Sequence, residues 1–255
     1  MTLPVRALLD TELAELNQSV LVLSSMVDQA IGHAIDALMA NDIPLAESVI
    51  AGDADINRLR FQIEEKAYVI LSTQQPMVRD LRTVIAAIHF AIELERIGDH
   101  AAGIARIVTR MEGMSRPPIV DAALAGESPA ALPDETPEEI PEGETPTLRM
   151  KLSRLPKMTK RARDMLHRAT AAYIERDVEK ANAIIKRDRK LDNQYRKFFA
   201  EAMAEISSQN VPEMPTYMLW IAHNLERIGD RTTNLAERVI FMVIGQYTEV
   251  LEDYE

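Results

Sequence analysis

Cysteine is absent from this 255-residue chain, which excludes disulfides and thiolate metal sites. Long apolar runs are missing as well. A stretch such as residues 239–244 is far shorter than the roughly 20 residues a membrane-spanning helix needs. Asp10, Glu12 and Glu15 interrupt the first apolar stretch, which argues against a secretory signal. Basic residues are outnumbered, 29 to 40, for a net charge of −11, so nonspecific nucleic-acid binding is not expected. No serine sits in a Gly-rich elbow, and without cysteine a nucleophilic triad has no support. Aromatic residues make up only 5% and glycine is scarce, whereas Ala, Leu, Ile, Met, Glu, Lys and Arg dominate. That composition favours helices over sheets. The expectation is a cytoplasmic protein, not inserted in a membrane and peripheral to it only through partners.

Hydrophobic residues amount to 47%, enough for a sizeable core. The negative charge is concentrated. Residues 112–146 hold nine acidic residues against the single Arg116, together with seven of the thirteen prolines. A segment with so little to bury reads as a disordered or extended linker. It divides the chain into residues 1–111, a linker at 112–147, and residues 148–255.

The two halves are versions of one unit. Asp42, Ala46, Ile50 and Asp53 match Asp177, Ala181, Ile185 and Asp188, each 135 residues later, as Ala34 and Ala37 match Ala169 and Ala172. The hexapeptide Leu-Glu-Arg-Ile-Gly-Asp at 94–99 recurs letter for letter at 225–230, now 131 residues on. Four residues lost at a turn account for the change.

Each half reads as three helices. Leu9, Leu13, Leu16, Val20, Leu23, Val27, Ile31 and Leu38 recur mostly three and four apart, one face of a helix. Residues 41–44 break it, with Asp42 placed to cap a second helix that carries Pro44 in its first turn. Gln74, Gln75 and Pro76 form the next turn. The third helix carries Phe90, Leu94, Ile97, Ala101, Ile104 and Val108. The second half repeats the plan, ending on Ile221, Leu225, Ile228, Thr232, Leu235, Val239 and Met242, with its interior turn near 208–210. Short turns make neighbouring helices antiparallel. The predicted fold is all-α: two tandem three-helix bundles joined by an acidic, Pro-rich linker.

Glu95 and Asp99 lie four residues apart, as do Glu226 and Asp230. That spacing stacks both carboxylates on one helix face, at a cost of about 0.2–0.5 kcal/mol unless a cation neutralises them. The preceding helix supplies Asp53 and Asn57 in one half, Asp188 and Asp192 in the other. In an antiparallel hairpin, residues equidistant from the turn share a level. Asp53 with Asp99 and Asn57 with Glu95 centre on residue 76; Asp188 with Asp230 and Asp192 with Glu226 centre on 209. Gly98 and Gly229 would let the helices approach there. Each half thus gathers four oxygen-bearing side chains, a donor set suited to Mg, Mn, Fe or Zn. The first has one carboxylate fewer, because Asn57 stands where the second has Asp192. The competing reading is of solvated acids balanced by Arg96, Arg227 or Arg231. His223, three residues before Glu226, reads as a boundary histidine, and His100 should point away from the acids. Arg79, Asp80 and Arg82 form either a partner-binding patch or a capped helix start. Trp220 and the methionines are expected in the core.

The repeated Leu-Glu-Arg-Ile-Gly-Asp, preceded in the first half by Gln74-Gln75-Pro76 and Asp80-Leu81-Arg82, resembles the PhoU family of phosphate-transport accessory regulators. The resemblance covers nearly the whole chain outside the acidic linker, which is longer than the family leads one to expect. It implies two three-helix bundles with metal ions on the acidic motifs, carried here by Asp53, Asn57, Glu95 and Asp99 and by Asp188, Asp192, Glu226 and Asp230. It also implies a non-enzymatic negative regulator that engages the ATPase subunit of a phosphate ABC transporter and a phosphate-sensing histidine kinase. A homodimer is expected. The alternatives are a di-metal carboxylate enzyme and a metal-free helical adaptor. The enzyme would need Glu-x-x-His on each of two helices, and Asp164-Met-Leu-His167 is the nearest approach to that motif.

Overall fold

A computed structural model describes residues 5–114, 154–208 and 213–246. They form α1 (Val5–Ala40), α2 (Ile43–Gln74), α3 (Arg79–Arg110), α4 (Arg154–Glu175), α5 (Val178–Ser208) and α6 (Glu213–Ile244). No strand occurs among the described residues. The fold is all-α with six helices, three in each half, as the periodicity predicts. Of the acidic segment only residues 112–114 are described, so the expectation of an irregular linker lies outside the described residues, as do positions 209 and 210 of the second interior turn.

The first turn of each half is built twice from the same parts. Asp42 caps α2 by accepting a hydrogen bond from the Leu45 amide at 2.9 Å, and Asp177 caps α5 by accepting from the Lys180 amide at 3.0 Å. The amide of Asp42 donates to the Ala37 carbonyl and that of Asp177 to the Ala172 carbonyl, again 135 residues apart. Before each cap the chain turns left-handed, at Asn41 (φ 55°) and Arg176 (φ 56°). Asn adopts that conformation readily; a long side chain seldom does.

The apolar stripes are buried along α1, α3 and α6, and one continuous core runs through both halves. The bundles are not strung end to end; they lie side by side. Phe90 of α3 stacks on Tyr173 of α4 with ring centroids 4.3 Å apart. Between α1 and α4, Tyr173 bonds Asn17 at 2.7 Å, Thr170 bonds Ser24 at 2.7 Å, and Arg163 bonds both oxygens of Asp28 at 2.8 Å. As the α1 number rises the α4 number falls, so these helices are antiparallel. The same holds between α3 and α6, where Glu93 meets Asn234 at 3.1 Å and His100 meets Asn224 at 3.0 Å.

Glu93 is 8% exposed, a burial tolerated only when the charge is paired and hydrogen-bonded. It accepts from Arg96 at 2.8 Å and Asn234 at 3.1 Å, with Arg231 at 3.6 Å. One carboxylate therefore ties the two halves together across the α3–α6 seam.

Candidate metal centres

The α5–α6 hairpin brings its acids together. Asp188 and Asp192 on α5 and Asp230 on α6 each place a carboxylate oxygen within 4.8 Å of the others, and all three are partly buried. Among the described residues no other group of three His, Asp or Glu is so tight. Glu226 completes the set electrostatically. Burial, then Asp230, pushes its carboxyl up to about 7 against the pull of Arg227, with Asp192 and Asp188 adding to the rise. Repulsion of this kind is what a bound cation relieves.

Gly229 makes the approach possible. A β-carbon there would stand 2.5 Å from Leu191 Cδ2 and 2.8 Å from Asp188 Oδ1, closer than atoms can pack. At Gly98 the same construction meets Ile56 at 3.1 Å, so the first hairpin is close but less tight.

The first cluster is looser and better compensated. Asp53 Oδ1 is buried and accepts no hydrogen bond, and burial, then Asp99, raises the Asp53 carboxyl while Arg106, 3.6 Å away, opposes. Glu95 is likewise raised by burial and Asp99, with Arg60 opposing at 4.0 Å. Asn57 turns its amide back to the carbonyl of Asp53 on its own helix at 3.2 Å. Asp53, Glu95 and Asp99 therefore share one field, and Asn57 is engaged locally. Arg60 and Arg106 have Tyr195 and Glu237 as their counterparts at the 135- and 131-residue offsets, so the second cluster lacks both compensating guanidiniums.

The arginines that the competing reading assigned to the acids divide their attention. Arg227 pairs with Asp230, but Arg96 and Arg231 turn to Glu93. His223 stands with Nδ1 3.4 Å from Glu226 Oε2, and burial, then Arg227, lowers its basicity. His100 points away from the acids to Asn224. Trp220 corrects its expected core placement: it is 47% exposed and rests edge-on against Tyr217. It precedes the buried Ile221, about 100° away from it around the helix. Met77 and Met203 are exposed too, while Met158, Met165, Met218 and Met242 are buried.

Sequence reasoning missed Glu93, although its position three after Phe90 and four before Ile97 places it on the buried face. It also missed Arg60 and Arg106, whose spacing from the acids across the hairpin carried the signal. The donor chemistry fits a hard or borderline cation in the second cluster: three oxygens converge, a fourth acid is held partly protonated, and the site is half-buried. The first cluster offers a weaker version of the same set.

The PhoU domain family matches residues 20–108 and 155–239, one segment in each half. The phosphate-specific transport system accessory protein PhoU homolog of Clostridium acetobutylicum is 28% identical over 247 residues, covering 96% of this chain and 98% of that protein. Its counterpart from Caulobacter vibrioides is 30% identical over 240 residues, covering 92% and 89%. The crystal structure of the phosphate transport system regulatory protein PhoU from Streptococcus pneumoniae superposes with a TM-score of 0.75 at 28% identity, over 95% of this chain and all of that one.

Proposed function

The chain belongs to the PhoU family, and on that footing we propose that it is a non-enzymatic accessory protein of phosphate transport. In this reading it restrains both a phosphate ABC transporter and the histidine kinase that reports phosphate status. The observation that carries the proposal is that both halves match the family, each with its acidic cluster in the α2–α3 or α5–α6 hairpin. Among the described residues no helix is long and apolar enough to cross a membrane, so contact with a transporter comes by docking from the cytoplasmic side.

The acidic clusters are the working parts we assign. Asp188, Asp192, Glu226 and Asp230 would hold one cation, and Asp53, Glu95 and Asp99 with Asn57 a weaker second. A bound cation supplies electrostatic cross-linking of two helices that otherwise repel. The chain's own residues set the terms: Gly229 fixes the approach, Arg227 offsets part of the charge, and burial strengthens every interaction. Holding each hairpin at a fixed spacing would give partner proteins a rigid helical surface.

The test is a clean gene deletion grown in high phosphate. Derepression of phosphate-starvation genes, reversed by the intact gene, is the expected result. Unchanged expression would sink the regulatory reading.

A further inference from the structure

The strongest charged feature outside the acidic clusters is at the start of α3, where cations are gathered against the electrostatic grain. A helix N-terminus already carries partial positive charge and favours acidic residues. Here the first turns hold Arg79 and Arg82. Arg176, at the α4–α5 turn, reaches across from the other half and donates to Thr83 Oγ1. Thr83 is 3% exposed and donates in turn to the Arg79 carbonyl at 3.0 Å, so the Arg176 guanidinium is pinned one turn along from Arg79. Asp80, the acid of this turn, is engaged by Arg6 at 2.7 Å. Among the described residues no carboxylate lies within salt-bridge distance of Arg79, Arg82 or Arg176. The helix cap adds nothing: Val78 makes no side-chain capping bond and sits at φ 40°. Burial, then Arg79, and more weakly Arg82, lower the basicity of Arg176 against the pull of Asp80.

The other half shows that the fold does not require this arrangement. At the corresponding positions stand Asn41 for Arg176 and Glu213 for Arg82. Asn41 has the same left-handed backbone as Arg176, φ 55° against 56°, and is the residue suited to it. Glu213, in the first turn of α6, is the charge suited to a helix start. The first half's α3 and the second half's turn depart from both preferences, and both departures add positive charge at one place.

We propose that Arg79, Arg82 and Arg176, with the N-terminus of α3, form a site for a doubly charged tetrahedral oxyanion, namely inorganic phosphate. Planar guanidiniums donate paired N–H groups to phosphate oxygens, and an uncapped helix start adds backbone N–H groups. The site bridges the halves, because Arg176 comes from the second and the other groups from the first. Phosphate there would strengthen the seam between α3 and the α4–α5 turn. The choice of phosphate among oxyanions rests on the proposed role in phosphate transport; the site itself rests on the charge arrangement.

Isothermal titration of the purified full-length chain with inorganic phosphate tests this, at low ionic strength and after chelator treatment so that no cation on the acidic clusters takes up the anion. Wild type should bind. Arg176→Asn installs the residue its own repeat partner uses at the same φ, so the turn is kept, and binding should weaken at least ~10-fold. Arg82→Glu, again the partner's residue, should abolish it. Sulfate should bind more weakly than phosphate; equal affinity would overturn the assignment to phosphate. No binding by wild type, or unchanged binding in both variants with their helical circular dichroism intact, would overturn the site. A chain that binds no phosphate while its gene deletion still derepresses starvation genes loses this site and keeps the regulatory reading. Binding without derepression has the opposite meaning.

Discussion

Asp28 and Arg163 occupy the same position in the two repeats, 135 residues apart, and bond each other through two contacts of 2.8 Å. Contact between equivalent residues places that pair on a pseudo-two-fold axis relating the halves. The α3–α6 seam obeys a matching relation, since Glu93–Asn234 on one side is answered on the other by Asn224, the counterpart of Glu93, packed on Gly103, the counterpart of Asn234. The duplicated chain therefore folds as an internal dimer, its two acidic hairpins on either side of the axis.

The axial pair gives a first prediction. Burial works to raise the Asp28 carboxyl, but the bonds from Arg163 and His167 hold it well below the ordinary carboxylate range, and the bond to Asp28 raises His167. The Asp28 contribution is complete above the unfolded carboxylate value of about 3.9 and is lost as pH falls through its depressed folded value. The His167 contribution is complete below about 6.5 and is lost as pH rises through its raised folded value. Stability from this group should thus be greatest between about pH 4 and 6.5. Asp28→Asn should flatten both limbs and cost about 1–2 kcal/mol in urea unfolding. The low figure reflects solvent screening of Arg163 and His167, 38% and 60% exposed.

Glu93 is the second seam. Glu93→Ala removes the acceptor of Arg96 and Asn234 and strips Arg231 of its buried counter-charge, a loss of about 2–4 kcal/mol. A double-mutant cycle with Asn234→Ala should return a coupling energy of about 0.5–3 kcal/mol. Additive effects would show that the hydrogen bond contributes nothing.

The unequal glycines make a third expectation. Gly229→Ala drives a methyl group into Leu191 and Asp188 and should lower stability by about 1–3 kcal/mol. Gly98→Ala meets Ile56 at 3.1 Å and should cost less, because that side chain can yield by a few tenths of an ångström. Melting temperatures of the two variants, side by side, decide the order.

In chelator-treated protein, Glu226 should make stability fall as pH rises. Its carboxyl titrates near 7 in the folded chain against 4.5 otherwise, so the folded state holds the extra proton between those values and the penalty is complete above 7. Glu226→Gln should remove the slope and stabilise the metal-free chain above pH 7 by about 2–3 kcal/mol. Urea unfolding from pH 4 to 8 measures it; a slope unchanged in the variant would locate the titration elsewhere.

Much of this was legible in the residues. The 135- and 131-residue offsets fixed the repeat, Asp42 marked a helix start, and counting outward from 76 and 209 matched each acid to its partner across a hairpin. The packing of the halves was not legible, because α1–α4 and α3–α6 are joined by no short turn that sets their register. Nor was the inequality of the clusters fully visible in Asn57 and Asp192. Arg60 and Arg106 contribute as much, and they lie outside the repeated hexapeptide. Trp220 was misplaced because a residue beside a stripe was read as part of it.

The claim that the acidic hairpin of the second half is a working part of a phosphate regulator is tested most directly by complementation. Glu226→Gln with Asp230→Asn, introduced into the deletion strain, keeps the shape of both side chains and removes two of the four charges. With the variant chain present at wild-type level, phosphate-starvation reporter expression in high phosphate should remain derepressed, and the purified variant should retain less metal than wild type after dialysis. Full repression together with unaltered metal content would contradict the account.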